Sequence, residues 1–194
     1  VAPILPAGIE LEYDGRYTAM FCYKAKNYAL YDGTKITLRG SALRSRGIEP
    51  FLKRLSDQLI QFLLGASPES PLVLWEDLRK KLRSRAVPVA DLARSETLSQ
   101  APETYERFIA EGGKPRRASA EAALQLNPRP RMGERVTYYI TEKAKGRPSD
   151  WQRARALARH DPVAAPYDTD YYLGKLDDWY ERYGAFLGAK PKAD

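Results

Sequence analysis

Apolar and polar positions alternate along the opening stretch of the chain and then give way to helical spacing. Ile9 to Tyr13 (IELEY) alternates, and Asp14-Gly15 follows as a turn. Residues 17 to 23, 27 to 31 and 35 to 39 repeat the alternation, with cores at Met20 to Tyr23, Tyr28 to Tyr31 and Ile36 to Leu38. Asp32-Gly33 joins the last two, a hairpin signal because Gly accepts the positive φ of a tight turn. The pattern therefore predicts a small antiparallel meander. From Glu49-Pro50 onward Phe51, Leu52, Leu55, Leu59, Phe62 and Leu63 fall on one helical face, with Pro suited to the first turn and Gly65 to the stop. Ser70-Pro71 opens a second helix with Leu74, Leu78 and Leu82 as its stripe.

Ser95 to Pro102 is polar and reads as a separator. Tyr105, Phe108 and Ile109 mark a short helix ended by Gly112-Gly113, and another helix runs from about Ser119 to Leu126. Asn127 to Gly133, rich in Pro, reads as a turn. Arg135 to Thr141 is a strand, with Val136, Tyr138 and Ile140 on one face and Thr137 and Tyr139 on the other. Trp151 is expected to begin a helix carrying Arg153 and Arg155. A closing helix has Tyr172, Leu176, Trp179, Tyr183 and Leu187 as its stripe. The fold class is α+β: a meander over 1–40, then a mainly helical domain over 41–194 with one short β element.

The 194 residues suffice for one or two domains, and 43% hydrophobic content with a mean hydropathy of −0.55 describes a soluble globular chain. No apolar run approaches a membrane span, so no membrane partner is expected. The opening VAPILPAG lacks the features of a signal peptide, and a start on Val reads as an excised piece. Cys22 is the only cysteine and His160 the only histidine, which excludes an intrachain disulfide, a cysteine zinc cluster and multi-histidine metal sites. A reducing, cytoplasmic setting fits.

Charge changes the picture further. The net +7 is uneven: residues 1–78 are neutral, residues 79–155 carry net +9, and residues 156–194 carry net −2. Such a local excess favours an acidic partner, with nucleic acid first and an anionic membrane surface second. Lys24 and Lys26 lie between two strands with Tyr28 close behind, an arrangement that suits a polyanion, although the residues alone read preferentially as solvated edge lysines and ordinary sheet packing of Tyr28. Arg79 to Arg85 (RKKLRSR) reads preferentially as a solvated helix face. Lys114, Arg116 and Arg117 precede a helix N-terminus, where backbone N–H groups favour anions. Lys143, Lys145 and Arg147 cluster around Gly146 after the strand.

The stretch LEYDGRYTAMFCYKAKNYALYDGTKITLRG resembles the segment of family B DNA polymerases that follows the catalytic palm strands. A Lys-Lys-Arg-Tyr signature that touches primer-template duplex is read there at Ala25-Lys26-Asn27-Tyr28. Lys26 and Tyr28 match, and Lys24 stands in for the lost Lys. ETYERFIAEGG, PRMGERVTYYITEKAKGR and PYDTDYYLGKLDDWYERYG then resemble successive pieces of that family's thumb domain, in order. The resemblance implies a palm-edge meander over 1–40 and a thumb over 41–194. It implies a grip on duplex DNA through Lys24, Lys26, Tyr28, Arg46, Lys114, Arg116, Arg117, Arg131, Lys143, Lys145 and Arg147, with the remainder of the polymerase chain as the other partner.

Asp168-Thr169-Asp170 matches the family's metal-holding triplet in spacing only. Here it lies far downstream of the meander and opens a helix, so Asp168 reads as an N-cap and Asp170 as a first-turn charge. The magnesium-binding carboxylates are expected N-terminal to Val1, no cofactor is expected in this chain, and the chain alone is expected not to polymerise. Two alternatives stay open. One is an RNA- or single-strand-binding module that stacks bases on aromatics. The other is a protein-interaction domain with an acidic partner.

Overall fold

A computed structural model describes residues 14–40, 43, 47–113, 117–141 and 153–188. The predicted strand at Ile9 to Tyr13 lies outside them. The meander is present as β1 (Ala19–Lys24), β2 (Asn27–Tyr31) and β3 (Ile36–Arg39), antiparallel in that order. Alternation sets its two faces. Phe21, paired with Ala29, looks inward with Ala19, Tyr23, Tyr31, Ile36 and Leu38, and packs on Ile60 and Leu64. Cys22 pairs with Tyr28, and Tyr28 with Arg39, on the outer face. At the β2–β3 turn the Asp32 carboxylate accepts from the Thr34 and Lys35 N–H groups at 2.8 and 2.7 Å, with Gly33 at φ +100°. The Lys35 N–H, helped by Thr34, holds that carboxyl below the usual range.

Three helices form the body: α1 (Pro50–Leu63), α2 (Pro71–Arg83) and, from the far end of the chain, α6 (Thr169–Tyr183). As the spacing predicts, α1 and α2 begin at prolines. Ser70 caps α2 by accepting from the Leu72 N–H at 3.3 Å. Phe51, Leu55, Leu59, Leu82 and Leu176 are buried between the three helices. Two tryptophans lock α6 in place: Trp75 Nε1 donates to the Leu176 carbonyl and Trp179 Nε1 to Ser56 Oγ, each at 3.0 Å. Tyrosine and tryptophan buried in this way need such partners for their polar ends.

Between α2 and α6 the chain makes α3 (Val89–Leu92), β4 (Arg94–Thr97), α4 (Pro102–Ala110), α5 (Ala118–Ala123), β5 (Arg135–Ile140) and β6 (Ala154–Ala156). The single strand read at Arg135 is the centre of a three-stranded antiparallel sheet, β4-β5-β6. Its alternation holds: Val136 and Tyr138 pack on Ala122, Ala123 and Leu98, while Tyr139 enters the helical body.

Three expectations need correction. Part of the polar separator is a strand, because β5 offers it a ladder. Ser95 pairs with Thr137, their hydroxyls meet at 3.1 Å, and Arg135 Nη2 donates to the Ser95 carbonyl at 3.0 Å. Arg153 and Arg155 do not lie on a helix. Ala154 and Ala156 have high helix propensity, but both are fully buried as strand residues paired to the second edge of β5, and sheet pairing overrides propensity. Trp151 lies outside the described residues. Finally, α6 ends at Tyr183, and Leu187 sits in a 3-10 turn over Gly184–Leu187. That turn brings Phe186 edge-on to Phe21 at 5.1 Å, so the end of the described chain closes against the meander.

Candidate nucleic-acid interface

The β1–β2 hairpin holds its two lysines in different ways. Strand pairing shifts register between Cys22 and Lys24, so the tip is irregular. Lys24 is exposed, yet its ammonium lies 5.2 Å from the ring of neighbouring Tyr23, which in turn stands 5.4 Å from Tyr183. Lys24 thus sits at the seam between meander and α6. Lys26 occupies the tip in the left-handed region, φ 61°, unusual for a residue other than Gly. Asn27 Nδ2 donates to the Ala25 carbonyl at 3.0 Å and braces the turn.

Gly40 explains why Lys26 stays there. It has φ +82°, and a Cβ at that position would collide with the Lys26 carbonyl oxygen and the Asn27 side chain. The end of β3 therefore presses on the tip of the neighbouring hairpin through a glycine-only contact. Gly40→Ala is expected to cost roughly 1–3 kcal/mol in urea unfolding, because positive φ and backbone displacement both oppose it. Unchanged stability would mean that the tip is not held by this contact.

Tyr28 stands on the outer face of β2, half-buried, beside the exposed Cys22. Its hydroxyl makes no hydrogen bond among the described residues. The remaining predicted contacts are spread over other elements. Arg117 stands at the N-cap position of α5 without a side-chain capping bond and donates from Nη1 to Ser99 Oγ. Arg131 is exposed in the turn before β5, where its N–H donates to Glu134 Oε2 at 2.6 Å. Its neighbour Arg129 is paired with Glu106 at 2.8 Å. Arg46, Lys114, Arg116, Lys143, Lys145 and Arg147 lie outside the described residues.

Asp168 is the N-cap of α6: its Oδ1 accepts from the Tyr171 N–H at 2.9 Å. Its other oxygen accepts from Arg153 Nη2 in an ion pair whose side chains are only 17% and 14% exposed. Both carboxylate oxygens are thus consumed by the fold. Among the described residues no group of three or more His, Cys, Asp or Glu side chains could hold a metal ion. The Asp-Thr-Asp triplet therefore does not fit the magnesium site it mimics in spacing. Instead, Asp168, Thr169, Asp170 and Tyr171 line an open cleft of about 790 Å³ with Arg83, Arg85 and Arg153.

The sequence profile of DNA polymerase family B covers residues 2–182. The chain belongs to DNA polymerase family B. It is 30% identical over 171 residues to the DNA polymerase of Thermococcus kodakarensis, and 30% identical over 175 residues to that of Desulfurococcus sp. strain Tok. Those alignments take in 87% and 89% of this chain but only 10% and 22% of the relatives. The chain therefore spans between a tenth and about a fifth of the length of these polymerases. The solved structure of the family B DNA polymerase from Pyrobaculum calidifontis shares the fold. Its TM-score is 0.66, at 23% identity, over 95% of this chain and 23% of that one.

Sequence reasoning missed two features of this family B segment. One is the contact between Gly40 and Lys26. The Arg39-Gly40 pair was visible, but not that glycine is needed for a contact across strands. The other is the arginine cleft. Arg83 and Arg85 read as part of a solvated basic face, and Arg153 as part of a helix, so nothing local signalled that the three converge.

Proposed function

We propose that this segment is the last palm edge, over 1–40, and the thumb, over 41–194, of a family B DNA polymerase, and that it grips primer-template duplex beside the active site. The observation that carries this reading is the hairpin tip. Lys26 is exposed there on a left-handed backbone position, and two residues on stands half-buried Tyr28, whose hydroxyl has no hydrogen-bond partner among the described residues. The net +9 of residues 79–155 supplies a long-range attraction to the same polyanion. Contacts of this kind go to phosphates and sugars, fix position, and carry no sequence information, as a polymerase requires. In this reading magnesium and its carboxylates belong to the rest of the polymerase, and the segment contributes grip rather than chemistry.

Substitutions at the tip test it. Lys26→Ala is expected to weaken duplex binding about equally for all sequences and to make the salt dependence roughly one unit shallower. Tyr28→Phe keeps the packing and removes one neutral hydrogen bond, so a loss of roughly 0.5–1.5 kcal/mol of binding is expected with folding stability preserved. If both variants bind duplex like the parent chain, the hairpin is not part of the DNA surface. A preference for unpaired over recessed duplex substrates would favour a single-strand module instead.

A further inference from the structure

Among the described residues no backbone hydrogen bond and no ion pair joins the meander to the helical body. Its seat rests on apolar and aromatic contacts at two places. At the first, Phe21 and Ala29 pack on Ile60 of α1 and on Leu64 just after it. At the second, β1 meets the far end of α6. The Phe186 ring stands edge-on to Phe21, with centroids 5.1 Å apart at 87°, a favoured aromatic arrangement. The Tyr23 ring lies 5.4 Å from Tyr183 and 6.0 Å from Phe186.

The second contact depends on the change of geometry after Tyr183. The 3-10 turn over Gly184–Leu187 follows α6 there. Tyr183 and Phe186 are three residues apart, the spacing that a 3-10 turn brings onto one side. Both rings reach Tyr23, while Leu187 stays against the helical core. Phe186 is 40% exposed, too open for a core residue, and its ring contacts among the described residues are both with β1. It also lies beyond residue 182, where the family match ends. From Tyr23 the contact passes on to the duplex grip. The Lys24 ammonium lies 5.2 Å from the Tyr23 ring, within the reach of a cation–π attraction.

We propose that Phe186 is a positioning residue for the duplex grip: with Tyr183 it clasps β1 to the end of α6, and so fixes where Tyr23 holds the Lys24 ammonium. A sheet seated on α1 alone is free to rock about that contact, and the clasp supplies the second point. The DNA part of this inference rests on the duplex-grip reading above; the clasp as a contact does not. An uncharged ring displaces no counter-ion from DNA. Its removal changes the salt slope of binding only through a cation that it positions.

The test compares the parent chain with Phe186→Ala, Phe186→Tyr, Lys24→Ala and the double variant Phe186→Ala/Lys24→Ala. Binding to a recessed primer-template duplex is titrated at several salt concentrations. Phe186→Ala should weaken binding roughly 3- to 10-fold, the scale of one aromatic pair, and make the salt slope shallower by up to about one unit. Phe186→Tyr keeps the ring and should restore both. The double variant should bind like Lys24→Ala alone, because two residues that act through one contact are not additive. A parental salt slope in Phe186→Ala, or a full further loss in the double variant, overturns the positioning role. Amide hydrogen exchange tests the clasp without DNA. Amides of β1 and β2 should exchange roughly 3- to 10-fold faster in Phe186→Ala, with those of α1 and α2 unchanged. Parental exchange in β1 and β2 overturns the clasp. Should Phe186→Ala fail to fold, Phe186→Leu keeps the bulk without the ring, and the same comparisons apply to it. Failure of the parent chain to bind duplex would defeat the duplex-grip reading and the positioning role with it, and the exchange comparison would still decide the clasp.

Discussion

Asp168→Ala is expected to destabilise the chain by about 3–5 kcal/mol, the scale found when one partner of a buried ion pair is removed. Two losses combine. The α6 N-cap disappears, which alone costs about 1 kcal/mol. Arg153 is then left without its counter-ion, its side chain 17% exposed and its Nε without a hydrogen-bond partner among the described residues. The site also ties α6 to the central sheet: the Asp168 N–H donates to the Ile140 carbonyl at 3.0 Å, and the Ile140 N–H donates to the Tyr172 hydroxyl at 2.8 Å. Asp168→Asn separates the contributions. Asn is a good cap but carries no charge, so it should lose less than Ala and leave the helix start intact. Urea unfolding followed by tryptophan fluorescence reads both, since Trp75 and Trp179 pack between α6 and its neighbours. A loss below about 0.5 kcal/mol for Ala would place the residue in the ordinary surface class and remove its structural role. A metal-holding carboxylate would behave in the opposite way, because relieving like-charge repulsion in an empty site stabilises a fold.

What could be read from the sequence was what is local. The Asp32-Gly33 turn, the Ser70-Pro71 start of α2 and the Asp168 cap each depend on residues within one turn of one another. All three are found where the pattern places them. The apolar stripes of α1, α2 and α6 were equally legible, since helical spacing needs no knowledge of the partner. The strands β4 and β6 were not. Arg94–Thr97 and Ala154–Ala156 carry no strand composition of their own, and only the two free edges of β5 make them strands.

The candidate sites divide in the same way. The order of segments and the Lys26–Tyr28 pair identified the family, and the matched profile bears that out. The hold of Gly40 on Lys26 and the meeting of Arg83, Arg85 and Arg153 depend on tertiary contact, so one-dimensional spacing is silent about them. The same holds for the pairing of Asp168. Its capping role is written in the four residues around it, whereas its ion pair depends on β6 being a strand rather than a helix.

The duplex grip itself is tested most directly by the salt dependence of binding. With about four phosphates contacted, log K against log salt should fall with a slope of roughly −3 to −4. Between 50 and 200 mM salt that is a loss of roughly 60- to 250-fold. The measurement is a titration of the chain with a recessed primer-template duplex of unrelated sequences at several salt concentrations. The account predicts this steep decline, nearly the same for every sequence. A flat salt response, or binding confined to one sequence, would contradict it.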